Sequence, residues 1–120
     1  LALKPALELD VSPFDKAMEM ARLYRQFAHE NASVYGMLFT NTMNGLNTDP
    51  QITLSKIAPY RELFGKVTDE QYALSALGGF IALLHGFVML EFTHPIQPQH
   101  RQAHSYELTV RAYLEGWQHA

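Results

Sequence analysis

Between Gln71 and Leu90 the chain runs for 20 residues without an Asp, Glu, Lys or Arg. A helix that is apolar all round has to be covered all round, by lipid or by protein. At 1.5 Å per residue such a segment spans roughly 30 Å, the thickness of a bilayer core. The flanks argue against lipid. They carry Asp69, Glu70 and Glu91 where a membrane helix favours Lys or Arg, and no Trp belt borders the segment. Gly78, Gly79, Gly86 and His85 also lower its hydropathy. The expectation is the central helix of a soluble protein, with a core against one side and another subunit against the other.

A helical wheel gives that expectation two faces. Ser75, Gly78, Gly79, Ala82 and Gly86 gather on one side, while Leu77, Phe80, Ile81, Leu84, Phe87 and Val88 gather on the other. Bulky residues fill a core, and small ones let a second helix backbone approach closely. Glycine in a helix interior costs about 1 kcal/mol against alanine, so three of them in one helix need a packing reason.

The chain has 120 residues, enough for one domain with a core of its own. It has no Cys, which excludes disulfides and thiolate metal sites and suits a reducing cytoplasm. The net charge of −3 offers no electrostatic footprint for nucleic acid. No basic segment leads into a short apolar one, so no signal peptide is expected. Residues 1–10 read as the tail of an upstream segment.

Punctuation divides the rest into four further helices. Ser12 as N-cap, Pro13 at the first helical position and Asp15 in the first turn open a helix from Phe14 to about His29. Its apolar face is Phe14, Ala17, Met18, Ala21, Tyr24 and Ala28. A second is expected from Ala32 to about Met43, with Val34, Tyr35, Leu38 and Phe39 on its apolar face, before a loop rich in Asn, Gly, Asp and Pro. A short third, about Lys56 to Phe64, tolerates Pro59 in its first turns and is closed by Gly65. Thr68 and Gln71 read as a capping box for the apolar helix. A last helix runs from about Gln99 to Gln118. On it Ala103, Tyr106, Val110, Tyr113 and Trp117 step by three and four, the seam of a coiled coil. That seam suits a helix–helix interface between subunits or a packing face within one. The expected fold class is therefore all-α, a five-helix bundle-like domain, and the apolar surround of the fourth helix makes a homodimer through the last two helices the expected assembly. Ser75, Gly79, Ala82, Gly86, Tyr106, Val110, Tyr113 and Trp117 are the expected interface.

Few residues invite chemistry. His85 is the one strongly polar ring in the apolar helix, and a buried His needs a hydrogen-bond partner. That partner is either a structural acceptor or a ligand. His100, His104 and Glu107 have a spacing that can chelate a metal, but Arg111, Glu115 and Gln118 continue the stripe as a solvated face. Glu91-Phe92-Thr93-His94 spells half of a di-iron motif whose other half is missing. No metal or cofactor is assigned, and no catalytic residue. Tyr24, Phe27, Tyr35, Met37, Phe39 and Met89 are large adaptable groups on facing elements. They are core packing or the wall of an apolar pocket with a few polar tips, which is how small-molecule sites are built.

The stretch Ala21-Arg22-Leu23-Tyr24-Arg25-Gln26-Phe27-Ala28-His29-Glu30-Asn31, continuing into Val34-Tyr35-Gly36-Met37-Leu38-Phe39, resembles a known pattern. So does Leu83-Leu84-His85-Gly86-Phe87-Val88-Met89-Leu90-Glu91. Both resemble the C-terminal regulatory domain of TetR-like transcriptional repressors of the WHG type, from about Phe14 to Trp117. Phe80 and Ile81 stand where that type carries a Trp, and Ala32 where it usually carries a Pro. The resemblance implies a non-enzymatic cytoplasmic domain that dimerises through its last two helices and holds a small effector among the others. Operator DNA would be met only by a helix-turn-helix segment that this chain lacks. With the pocket reading above, the expected ligand-binding residues are Tyr24, Phe27, Tyr35, Phe39, His85 and Met89. The competing readings are a metal- or oxygen-carrying bundle and a dimerisation module without ligand.

Overall fold

The computed structural model describes residues 3–35, 50–94 and 97–120. Among them are five α-helices and no strand: α1 (Lys4–Leu7), α2 (Pro13–Glu30), α3 (Pro50–Val67), α4 (Ala73–Thr93) and α5 (Gln99–Gln118). Two 3₁₀ turns, Ala32–Val34 and Glu70–Tyr72, lead out of α2 and into α4. Most of the expected second helix, with Met37, Leu38 and Phe39, lies outside the described residues.

The start of α2 follows from its sequence. The Ser12 hydroxyl accepts from the backbone N–H of Asp15 at 3.1 Å, and Pro13 occupies a position whose N–H has no partner to lose. At the other end the Asn31 side chain donates to the Phe27 carbonyl at 2.8 Å. Ala17, Met20, Ala21, Tyr24 and Ala28 form the buried stripe, while Phe14 and Met18 lie half-buried at its edge.

Expectations about the middle of the chain are corrected in two places. The helix α3 begins at Pro50, not near Lys56, so Pro59 falls inside it and not in its first turn. Proline there removes one backbone hydrogen bond. The helix persists because Leu63, Phe64 and Val67, just beyond, are anchored in the core. It also runs through Gly65, which does not cap it. A Cβ at Gly65 would lie 3.6 Å from the Cα of Glu70, so the next turn packs directly on this bare backbone. The second correction concerns the cap. Asp69, not Thr68, caps the turn before α4, its carboxylate accepting from the Gln71 N–H at 3.0 Å. The Thr68 hydroxyl is buried without a hydrogen-bond partner.

The bulky face of α4 is the heart of the core. Leu77, Phe80, Leu84 and Val88 are buried with Ala73 and Ala76, and Ile81 and Phe87 are half-buried. Phe80 packs at a tilt against Phe64 of α3, with ring centroids 4.9 Å apart. The opposite face is bare. Ser75, Gly78, Ala82 and Gly86 are exposed, flanked by Leu74 and Leu90, which are 45% and 48% exposed. Only 33% of the most apolar window of Glu70–Thr93 is buried, although by length and composition the segment could cross a bilayer. A single helix of this kind is equally the central helix of a soluble domain.

The aromatic seam of α5 turns inward. Tyr106 and Val110 are 4% and 0% exposed, with Leu114 and Gln102 completing the buried stripe in place of Ala103. The Tyr106 hydroxyl donates to the Ala21 carbonyl of α2 at 2.6 Å, and the Tyr113 hydroxyl to the Ala76 carbonyl of α4 at 2.7 Å. Trp117 is half-buried against Tyr72 and Tyr113. The expected interface residues therefore divide. Ser75, Ala82 and Gly86 present open surface, whereas Tyr106, Val110 and Tyr113 are committed to packing within the chain. Gly79 belongs with the second group, because it is the surface on which the Tyr113 hydroxyl rests.

Candidate functional site

The C-terminal halves of α2 and α4 lie against each other, and the chain leaving α2 turns back over them. That turn delivers Tyr35 to a position between the two helices. Its hydroxyl is hydrogen-bonded to the Tyr24 hydroxyl of α2, and it lies 2.9 Å from Nδ1 of His85 on α4. The two tyrosine rings meet edge to face, with centroids 6.1 Å apart and planes at 81°. The imidazole stands 5.5 Å from the Tyr35 ring. Three of the expected ligand residues thus form one polar chain inside an apolar domain.

Burial sets the charge state of this chain. It pushes the phenols of Tyr24 and Tyr35 above their ordinary range and pulls the His85 imidazole below its own, because both charged forms lose hydration. All three groups are neutral near pH 7. A neutral imidazole has one accepting nitrogen. Two assignments satisfy the geometry: Tyr24 donates to Tyr35 and Tyr35 to Nδ1 with the ring proton of His85 on Nε2, or Nδ1–H donates to Tyr35 and Tyr35 to Tyr24. The arrangement can orient a polar group on an otherwise apolar molecule. It holds no activated nucleophile.

The other expected ligand residues are placed less closely. Met89, one turn beyond His85, is half-buried against the core. Phe27 is half-buried, and its carbonyl receives the Asn31 side chain. Phe39 lies outside the described residues.

Beside the polar chain stands a cluster that the sequence reading did not assign to the site. Glu91, its side chain 3% exposed, accepts from Nε and Nη2 of Arg25 at 3.0 and 2.7 Å. His29 Nε2 lies 3.2 Å from the same carboxylate. The Arg25 guanidinium also lies over the Tyr106 ring of α5, 5.8 Å from its centroid. Phe92 fills the space between the two clusters, its ring 5.1 Å from His29 and 6.0 Å from Tyr35. A signal existed in the sequence. Arg25 and His29 share a face at i and i+4, and Glu91 is the first charge after the apolar run.

Two open-sided hollows border this cluster, the first at Arg25 and the second at Glu91. A groove of about 590 Å³ runs between α2 and α5, with Met18 and Tyr106 in its floor and Arg22, Arg25, Glu107 and Arg111 at its rim. A notch of about 160 Å³ between α4 and α5 is lined by Leu90, Gln97, Gln102 and Thr109. Among the described residues, no three His, Asp or Glu side chains stand together as a metal-binding group.

The site thus consists of a neutral polar chain between α2 and α4, on a helical domain whose α4 also presents a bare small-residue face. Residues 17–113 match the family described as the tetracyclin repressor-like, C-terminal domain. The match covers most of the chain, and the chain belongs to that family. No curated protein and no solved structure matches it.

Proposed function

We propose that this chain is the regulatory domain of a TetR-like transcriptional repressor, which binds a small, mostly apolar effector at the Tyr24–Tyr35–His85 chain and pairs with a second copy through α4 and α5. Contact with operator DNA belongs to a helix-turn-helix segment upstream, and the working compartment is the cytoplasm. The observation that carries the effector reading is a linked set of neutral hydrogen-bonding groups where an apolar core would otherwise suffice. Burying a hydroxyl costs free energy that a hydrogen bond must offset, a cost that a Phe at either Tyr position would avoid. Here the hydroxyls serve to orient a ligand between α2 and α4. A ligand that binds one arrangement of those helices better than another shifts α2, and with it the DNA-reading segment.

The dimer reading rests on the outer face of α4. Leu74, Ser75, Gly78, Ala82, Gly86 and Leu90 are exposed along it, and Leu108 on neighbouring α5 is 52% exposed. A Cβ added at Gly78 or Gly86 meets nothing within 4 Å, so a second backbone has room to approach.

A thermal-shift screen of small aromatic and lipid-like compounds tests the effector reading. A compound at 100 times its Kd adds about 2.7 kcal/mol, a rise of roughly 10 °C for a domain of this size. His85→Ala and Tyr35→Phe are expected to remove that rise while leaving the fold and dimer intact. A rise that survives both substitutions unchanged places the ligand elsewhere. One observation favours a second reading, that of a dimerisation module without effector. Tyr24 and Tyr35 are only 1% and 2% exposed and already satisfy each other. A dimer that no compound in the screen stabilises supports it.

A further inference from the structure

Those exposures raise a mechanical question. No ligand touches the two hydroxyls unless something parts. We propose that Arg25, His29, Glu91 and Phe92 form a gate, and that a ligand reaches the Tyr24–Tyr35–His85 chain by opening the seam between the C-terminal ends of α2 and α4. This rests on the reading of that chain as the effector site.

The layering from outside inward gives the order of events. Arg25 and His29 on α2 clasp Glu91 on α4, and Phe92 lies behind them against both His29 and Tyr35. Tyr35 lies behind Phe92, with Tyr24 behind Tyr35 and the half-buried His85 beside it. Release of the clasp frees Phe92 to swing out, and Tyr35 is then the first surface a ligand meets.

The seam is also where parting is easiest. The clasp sits in the last two turns of both helices, which end at Glu30 and Thr93, and the final carbonyls of a helix have no intrahelical donors. The contacts across it include the Arg25–Glu91 ion pair and the polar contact of His29 with the same carboxylate. Arg25 and His29 are already 21% and 34% exposed, so water takes over their hydrogen bonds when the seam opens. Phe80, Leu84, Val110 and Leu114, each 0% exposed, are held by apolar contacts that water cannot replace. Openings of this kind are local, and they are distinguishable from global unfolding by amide exchange.

The test is hydrogen exchange on the intact chain, comparing the parent with Glu91→Gln, which keeps the shape of the side chain and removes its charge. Amides from Arg25 to Asn31 and from Leu90 to His94 are expected to exchange at least tenfold faster, with those of Phe80, Leu84, Val110 and Leu114 unchanged. Tyr35 should become reactive to tetranitromethane, while Tyr106 and Tyr113 keep the parent's reactivity. Arg25→Lys, which retains the charge but loses the two-pronged grip, should move the same amides by a smaller factor. Glu107→Gln, which breaks a pair with Arg111 inside α5, should move none of them. Uniform acceleration across the domain, or no change at the seam, overturns the gate. The measurement needs no effector. If the gate fails while His85→Ala still abolishes effector binding, the site stands and access lies elsewhere. If the gate holds and no compound binds, the effector reading is the one that falls.

Discussion

Gly78 and Gly79 are neighbours in sequence and opposites in space. A Cβ at Gly79 would collide with the Tyr113 hydroxyl, which is tied to the Ala76 carbonyl and whose ring is backed by Phe80 and Trp117. Gly79→Ala is therefore expected to destabilise the domain by about 1–3 kcal/mol through overpacking and loss of that hydrogen bond. Gly78→Ala meets no obstacle within the protomer and should add up to about 1 kcal/mol of helix stability. Denaturant titration of the two variants at low concentration decides the matter, and equal signs for both would contradict the placement of Tyr113. His85 makes a second prediction at this scale. Burial lowers its folded pKa below the ordinary value near 6.5, so below that pH the unfolded chain binds more protons than the folded one. The contribution of His85 to stability is then present above the ordinary value and is lost as pH falls toward the folded value. The melting temperature of the parent should fall relative to that of His85→Gln between pH 7.5 and 5.5. A relative gain on acidification would mean that the folded protein holds the ring charged.

The helix α4 is the element on which both proposed functions depend. Its bulky side is the protomer's core, its C-terminal half carries His85, Glu91 and Phe92, and its third side is bare. If that bare side is the dimer face, Gly86→Leu places a large side chain where a second backbone must approach. Dissociation should then rise by tenfold or more, which corresponds to 1.4 kcal/mol or above. The protomer should keep its fold, because an added Cβ at Gly86 meets nothing within 4 Å. Sedimentation velocity across a concentration series reads the shift. A parent chain that stays monomeric at every concentration removes the reading. Trp117→Ala separates two roles for α5. Its ring packs on Tyr72 and Tyr113 of the same protomer, so the expected effect is a lower melting temperature with little change in dimer dissociation.

At the scale of the molecule, the net charge of −3 does not favour the counterion release on which duplex DNA binding draws. Fluorescence anisotropy should detect no submicromolar, salt-sensitive binding by this chain alone. The all-α class, the boundaries of α2 and α5 and the core face of α4 were all legible from the sequence. Each depends on interactions within a few residues: the Ser12 cap, the Pro13 start, the 3.6-residue recurrence of Leu77, Phe80, Leu84 and Val88. The family was legible for the same reason, since its pattern is a run of helix faces. Pro59 was misread because its propensity is local while the anchoring of Leu63, Phe64 and Val67 is not. Periodicity finds a buried stripe but does not say what buries it, so the seam of Tyr106, Val110 and Tyr113 read equally well as an interface. Tertiary structure decided that it belongs to the protomer, by setting the carbonyls of Ala21 and Ala76 within reach of two phenols. It also brought the candidate site together. Tyr24, Tyr35 and His85 span 61 positions, and Arg25 and Glu91 lie 66 apart; no local rule joins them. Only the approach of two helix ends makes one polar chain and one ionic clasp of them.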